Sequence, residues 1–180
     1  QLALIKDEKI SQKLSQDVEE MEKMLNEYLQ FTSSTSSEKT EFFDISKLLN
    51  HSIMKYENKN IDSNIEEKIF FNGRKNLISR CIDNLINNSL KYSGKILVNL
   101  KKIHKNLIIT VDDDGPGIVE SEYENVFKPF YKINKGRGDS KSSVGLGLSI
   151  SSDVVRSHGG SITLDKSSLG GLRVKISLPF

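Results

Sequence analysis

Three carboxylates in succession, Asp112, Asp113 and Asp114, are followed by Gly115-Pro116-Gly117. They come directly after the apolar run Leu107 to Val111, which reads as a buried strand. Glycines after a strand let the backbone turn sharply and approach a ligand. A carboxylate with no cation beside it in sequence can accept a hydrogen bond from an exocyclic amine. The other readings are a calcium-like loop or a plain acidic turn, and no second set of acidic ligands follows at EF-hand spacing. A second cluster, Asn84-Leu-Ile-Asn-Asn88-Ser-Leu-Lys91-Tyr92, lies in a helical pattern. Asn84 and Asn88 are four apart and Lys91 three further on, so all three share one face. Asparagine lowers helix propensity, yet the apolar positions around these amides are correctly filled. An amide oxygen suits a hard cation such as magnesium, which takes few protein ligands and completes its shell with phosphate oxygens. A lysine beside it would pair with the same phosphates.

Two further clusters are weaker alone. Val126-Phe-Lys-Pro-Phe-Tyr-Lys132 brackets Pro129 with aromatics at the base of a polar loop, as a lid hinge or as plain core packing. Ser143-Val-Gly145-Leu146-Gly147-Leu148 places two glycines at the start of a helix, where free backbone donors favour an anion. Neither the phosphate-loop lysine motif nor the dinucleotide-binding glycine fingerprint is present.

The elements that must position these residues are legible in outline. Residues 76–92 form an amphipathic helix carrying Leu77, Cys81, Ile82, Leu85 and Ile86. Residues 45–55 and about 147–157 read as further helices, with a short one near 121–127. Strands are expected at 61–65, 68–71, 96–100, 107–111, 161–164 and 172–178. This mixture predicts an α+β, two-layer sandwich with helices on one face of a sheet. Upstream, Ile10, Leu14, Val18, Met21, Leu25 and Tyr28 make one apolar stripe over residues 9–32, too strong for a lone surface helix. Leu2, Leu4 and Ile5 read as the end of a preceding helix, so the two suggest part of a hairpin. Residues 32–40, mostly Ser and Thr, read as a linker.

The whole chain has 180 residues with 36% apolar and 28% charged content, enough for one core without staples. A net charge of +2 offers no basic field for a nucleic-acid backbone, so no nucleic-acid partner is expected. One cysteine, Cys81, excludes an internal disulfide and reads as a small buried apolar residue. No apolar run approaches the roughly 20 residues of a membrane span. The chain starts inside an amphipathic pattern and reads as a piece of a longer protein.

Taken together, the order and spacing of the four clusters resemble the catalytic and ATP-binding domain of sensor histidine kinases of two-component systems, with the Bergerat fold. Asn84 to Tyr92 matches the N box, Asp113-Asp114-Gly115-Pro116-Gly117 the G1 box, Phe127 to Phe130 the F box, and Gly145-Leu146-Gly147-Leu148 the G2 box. His158-Gly159-Gly160 also fits. Residues 111–118 and the Phe-Lys-Pro-Phe segment are most similar to osmosensor-type kinases.

The resemblance implies residues 1–36 as the end of a dimerisation and phosphoacceptor hairpin and 41–180 as the catalytic domain. It implies ATP and Mg2+ as cofactors, with Asp113 on the adenine amino group and Asn88 as the metal ligand. Asn84 would lie beside it, with Lys91 and Tyr92 at the phosphates and ribose, and Lys132 on phosphate. Gly115 and Gly117 would shape the adenine wall, with Ile118 among the ATP-binding residues. Phe130, Gly145, Leu146, Gly147 and Leu148 would complete the nucleotide site, with residues 133–144 as a lid. The implied activity is transfer of the ATP γ-phosphoryl to a histidine and thence to an aspartate of a response-regulator receiver domain. A homodimer, and a cytoplasmic domain of an inner-membrane sensor, are implied for the full-length protein.

Two departures stand out. Ser143 occupies the place where the G2 box often has its first glycine. None of His51, His104 and His158 precedes an acidic-x-Arg/Lys-Thr-Pro segment, so the phosphoacceptor is expected upstream of Gln1. The rival readings are a non-catalytic nucleotide-binding switch, disfavoured by the intact Asn84, Asn88, Lys91 and Asp113, and an anti-sigma-type serine kinase, which needs no dimerisation hairpin.

Overall fold

The computed structural model describes residues 10–12, 14, 15, 18, 19, 21, 22, 38–56, 59–133 and 145–180. Within the N-terminal stripe, Ile10, Leu14, Val18 and Met21 are helical and exposed. Leu2, Leu4, Ile5, Leu25 and Tyr28 lie outside the described residues.

Seven strands and three longer helices follow: β1 (Glu41–Asp44), α1 (Ile45–Met54), β2 (Ile61–Ile65), β3 (Phe70–Gly73), α2 (Lys75–Tyr92), β4 (Ile96–Ile103), β5 (Asn106–Asp113), α3 (Gly147–Ser157), β6 (Ser161–Lys166) and β7 (Leu172–Pro179). The main sheet has the order β2-β4-β5-β7-β6, with β2 parallel to β4 and every other pair antiparallel. β1 and β3 form a separate antiparallel ribbon.

One face of the main sheet is covered. Strand alternation sends Ile96, Val98 and Leu100 of β4, Leu107, Ile109 and Val111 of β5, and Val174, Ile176 and Leu178 of β7 to that face. There they meet Leu77, Ile78, Cys81, Ile82, Leu85 and Ile86 of α2 and Ile150, Val154 and Val155 of α3. The two-layer expectation therefore holds. Cys81 is fully buried with its sulfur 3.9 Å from the Ser151 carbonyl oxygen, and burial pushes its thiol up to about 12.

The helix starts have identifiable causes. Asp44 caps α1 by accepting from the Lys47 N–H at 3.2 Å. No side chain of its own N-cap residue, Arg74, caps α2. Glu38, at the end of the Ser/Thr stretch, does so instead, accepting from the Asn76 N–H at 2.6 Å and the Leu77 N–H at 3.1 Å. A carboxylate there satisfies two orphan donors and opposes the positive end of the helix dipole.

Four local expectations change. β1 is a strand that hydropathy does not mark, because four residues with Phe42 exposed carry too short a pattern. Its Phe42 ring stacks on Phe70 of β3 at 5.4 Å between centroids. β3 begins at Phe70 rather than Lys68, whose φ of 58° is incompatible with a strand. β4 and β5 run on to Ile103 and back from Asn106, through a two-residue turn with His104 at φ 53°. That hairpin end is exposed, so polar residues continue the ladder. The helix expected near 121–127 is two 3-10 turns, Glu120–Glu122 and Asn125–Phe127.

Candidate functional site

Three segments that are distant in sequence meet at the C-terminal end of α2. Asp113 ends β5, is 5% exposed, and shares the helix-facing side with Val111. Its Oδ1 accepts from the Gly115 N–H and the Leu172 N–H, each at 3.0 Å, and its Oδ2 accepts from the Ser89 hydroxyl at 3.2 Å. Its main-chain oxygen accepts from the Gly171 N–H at 3.0 Å. One carboxylate thus ties β5 to α2, to its own turn and to the start of β7.

The glycines explain how backbone comes so close. A Cβ on Gly115 would sit 2.9 Å from the Tyr92 carbonyl oxygen, so this turn lies directly against the end of α2. A Cβ on Gly171 would collide with Asp113 Oδ1 and sit 2.5 Å from the Gly115 nitrogen. Gly117 takes φ 65°, a left-handed conformation that suits glycine. Asp114 serves the turn into β4 instead, where its Oδ1 accepts from the Gly94 and Lys95 N–H groups, each at 2.9 Å. The Lys95 N–H above all, with that of Gly94, holds this carboxyl below the usual carboxylate range.

Asn84 and Asn88 are half-buried on α2, and Lys91 and Tyr92 are exposed at its last turn. The Lys91 ammonium lies 5.1 Å from the centroid of the Tyr92 ring. α3 packs against α2 so that a Cβ on Gly147 would lie 3.9 Å from Asn84 Cβ. No side chain caps α3 at its start, and its first turn opens beside Asn84. Leu146 is a core residue at 3% exposure, so what it offers a ligand is backbone. Leu148 and Ile118 are half-buried against the core.

The Phe-Lys-Pro-Phe segment forms the base of the residues leading to α3. Phe130 takes φ 64° and donates its N–H to the Gly145 carbonyl oxygen at 3.0 Å. Gly145, at φ 79°, has room for no Cβ, since one would lie 2.9 Å from the Tyr131 oxygen. Tyr131 donates its hydroxyl to Glu122, which also accepts from Asn125 at 3.3 Å. The bond to Glu122 pushes the Tyr131 phenol up. Phe130 and Lys132 are exposed. Ser143 and most of the expected lid, residues 134–144, lie outside the described residues.

The chain's own donors fit a magnesium–nucleotide. Among the described residues no group of three or more His, Cys, Asp or Glu could cage a metal. A half-buried amide such as that of Asn88, on the same helix as Lys91, suits a cation that draws most ligands from phosphate.

The three histidines have other settings. His158 caps the end of α3, where Nδ1 donates to the Val154 carbonyl oxygen at 2.7 Å and Nε2 accepts from the Arg74 N–H at 3.0 Å. Both ring nitrogens are thus engaged in joining α3 to the start of α2. His51 is exposed on α1 and His104 is exposed in the β4–β5 turn.

Gly171 and the Leu172 N–H are parts of this site that lie outside the motifs, and Ser89 lies inside one without a role assigned to it. Gly170-Gly171 between two expected strands is the available signal, since a glycine there allows close backbone approach.

The family model described as histidine kinase-, DNA gyrase B- and HSP90-like ATPase matches residues 73–180. The chain is 32% identical over 182 residues to the sensor histidine kinase GtrS of Pseudomonas aeruginosa, covering 98% of this chain and 37% of that protein. It is 38% identical over 108 residues to the sensor histidine kinase CpxA of Escherichia coli, covering 59% of this chain and 24% of that protein. It therefore spans about a quarter to somewhat over a third of the length of these curated relatives. The mycobacterial sensor histidine kinase MprB superposes with a TM-score of 0.68 at 25% identity, over 78% of this chain and 97% of that one.

Proposed function

Because this chain belongs to the family of histidine kinase-, DNA gyrase B- and HSP90-like ATPases, we propose that it is the ATP-binding catalytic domain of a two-component sensor histidine kinase. The observation that carries the reading is Asp113, a buried carboxylate oriented by three donors at the junction of α2, β5 and β7. With its orientation fixed, it can accept from the exocyclic amine of adenine, a group that guanine and hypoxanthine lack at that position. Gly115, Gly117 and Ile118 would flank the base. Tyr92 would meet the ribose, and Lys91 and Lys132 would neutralise phosphate oxygens. The opening turn of α3, from Gly145 through Leu148, would offer N–H groups to the same oxygens, beside Phe130. Asn88 would hold Mg2+ with Asn84 adjacent; the bound cation would neutralise and align the phosphates.

Phosphoryl transfer depends mainly on such positioning and charge neutralisation. In the proposed reaction an imidazole nitrogen bonds to the γ-phosphorus, the bond to the β,γ-bridging oxygen breaks, and ADP leaves with the electron pair. The imidazole loses its N–H proton, and an aspartate of a receiver domain then takes the phosphoryl group. The accepting histidine is one other than His51, His104 and His158. Residues 1–36 would belong to the hairpin that carries it and pairs two copies, and residues 41–180 to the catalytic domain. The exposed Ile10, Leu14, Val18 and Met21 fit a helix that needs such a partner. The whole protein would then be a homodimeric membrane sensor with this domain in the cytoplasm; among the described residues no helix is long and apolar enough to cross a bilayer.

The test is calorimetric titration of a non-hydrolysable ATP analogue, with and without magnesium, into this chain and into Asp113→Ala. Saturable, magnesium-assisted binding is expected, weakened by about a hundredfold in the variant, the worth of a hydrogen bond to a buried charge. A folded wild-type chain that binds no nucleotide would overturn the reading.

A further inference from the structure

Asp112 stands beside Asp113 on β5, but strand alternation turns it to the opposite face of the sheet. It is fully buried, and its Oδ1 accepts from Arg173 Nε at 2.7 Å. Its Oδ2 is buried with no hydrogen-bond partner among the described residues. A buried ion pair with one oxygen unsatisfied is a poor way to stabilise a fold, since an apolar pair of similar volume does as well or better.

Its position in the ladder suggests a different use. Asp112 and Arg173 are directly opposed and form the terminal pair of the β5–β7 register. Immediately before Arg173 come Leu172 and Gly171, whose N–H groups donate to the Asp113 carboxylate and main-chain oxygen. These two donors lie just past the last pair of the β5–β7 register. On the other side Leu172 pairs with Lys166 of β6, and the Gly171 oxygen accepts from the Ser167 N–H at 2.9 Å. It is therefore the β5 side of this end that Asp112 and Arg173 fasten. Arg173 is also opposed to Asp165 on β6, yet its Nε bonds to Asp112. The arginine therefore fastens β7 inward to β5 rather than outward to β6.

We infer that Asp112 and Arg173 are a positioning pair for adenine selection. From the far face of the sheet they hold Gly171 and Leu172 in register, and those residues aim the Asp113 carboxylate at the base. This inference rests on the reading of Asp113 as the acceptor of the adenine amine. Neither residue of the pair touches the nucleotide. Their effect reaches it through two backbone N–H groups and one carboxylate.

The test compares a non-hydrolysable ATP analogue with its inosine counterpart, which has no exocyclic amine. Arg173→Met strands a buried carboxylate and can fail to fold for that reason alone. The Asp112→Asn/Arg173→Met double variant removes that charge and is the one on which the test turns. With its cooperative melting retained, it is expected to bind the ATP analogue about tenfold more weakly, the scale of one weakened hydrogen bond to the base. Its affinity for the inosine analogue is expected to stay unchanged, so that adenine selectivity falls by the same factor. Equal losses for both ligands, or wild-type selectivity in the folded double variant, would overturn the inference. Asp113→Asn separates the two layers. If that variant keeps adenine selectivity, the reading of Asp113 falls and this inference with it. If it loses selectivity while the double variant keeps it, only the positioning pair is wrong.

Discussion

The base end of the candidate site and its phosphate end are built from different materials. Around Asp113 nearly every donor is backbone: Gly115, Gly171 and Leu172 supply N–H groups, and the one side-chain donor, Ser89, is itself buried. Around the phosphate end the candidates are side chains reaching outward, with Asn88 half-buried and Lys91, Tyr92 and Lys132 exposed. The first arrangement is fixed when the chain folds. The second is made of side chains whose placement rests on their rotamers, and a ligand that redirects them does so at a cost of about 0.5–1.5 kcal/mol per long side chain. On the proposed reading, base recognition would therefore be part of the fold, whereas phosphate recognition would be completed by the phosphates and their cation. Damage at the base end should reach stability and affinity together, and damage at the phosphate end affinity alone.

Gly171→Ala is the strongest way to expose that coupling. The added methyl group would meet Asp113 Oδ1, the Gly115 nitrogen and the Asp113 carbonyl oxygen, and the last two are backbone that cannot swing aside. Overpacking of this kind costs about 1–3 kcal/mol or more. Nucleotide affinity should fall in the same variant by about a hundredfold, the loss expected for Asp113→Ala, because the displaced carboxylate is the proposed adenine acceptor. Thermal melting and calorimetric titration on one preparation decide the matter. A variant that melts early but binds with wild-type affinity would show that the base end is not welded to the fold.

Asn88→Ala should show the opposite pattern. The residue is half-buried in the interior of α2, where alanine is the better helix former by about half a kcal/mol. Stability should hold or rise slightly, while the magnesium-dependent part of nucleotide affinity is lost. About a tenfold loss is expected in the presence of magnesium, in line with one hydrogen-bond-sized interaction with charge, and little change in its absence. An affinity loss of the same size with and without the cation would move Asn88 from the metal to another part of the ligand.

How much of this can be read from residue types follows the same division. The phosphate-end residues are legible because they are side chains with chemistry at helical spacing; α2 places Asn84, Asn88 and Lys91 as a helix must. The fold's layers are legible for a similar reason, since α2 and α3 carry clean apolar stripes and β4, β5 and β7 carry apolar runs. Asp113 stands out by its type and its place after a strand, but what holds it does not. Leu172 lies 59 residues downstream and contributes a main-chain N–H, which leaves no mark in a sequence. Glu38 hides at the end of a serine-rich linker, 38 residues from the helix whose start it caps. Arg173 gives no hint that it answers Asp112, because the register that opposes them exists only once the sheet has formed.

A third region, away from both ends, gives the smallest effect and the sharpest control. His158 joins the end of α3 to Arg74 at the start of α2 through a ring nitrogen that accepts the Arg74 N–H. Burial, with the nearby Arg74 charge, lowers its folded-state pKa below the ordinary 6.5. The unfolded chain therefore binds the proton more readily, which sets the sign of the linkage. The contribution of His158 to stability is complete above about 6.5 and is lost as pH falls through the lowered folded-state value. His158→Gln keeps a donor and an acceptor but cannot titrate. It should be less stable at pH 7.5 by about 1 kcal/mol, one hydrogen bond's worth, with a shallower decline toward pH 5, so that the two melting curves converge in acid. At pH 7.5 its nucleotide affinity should equal the wild type's, since the histidine supports the α2–α3 scaffold and neither end of the site. Parallel pH profiles for the two proteins would remove His158 from the titration. An affinity loss at pH 7.5 would mean that the scaffold and the phosphate end are more tightly coupled than the contrast between the two ends allows.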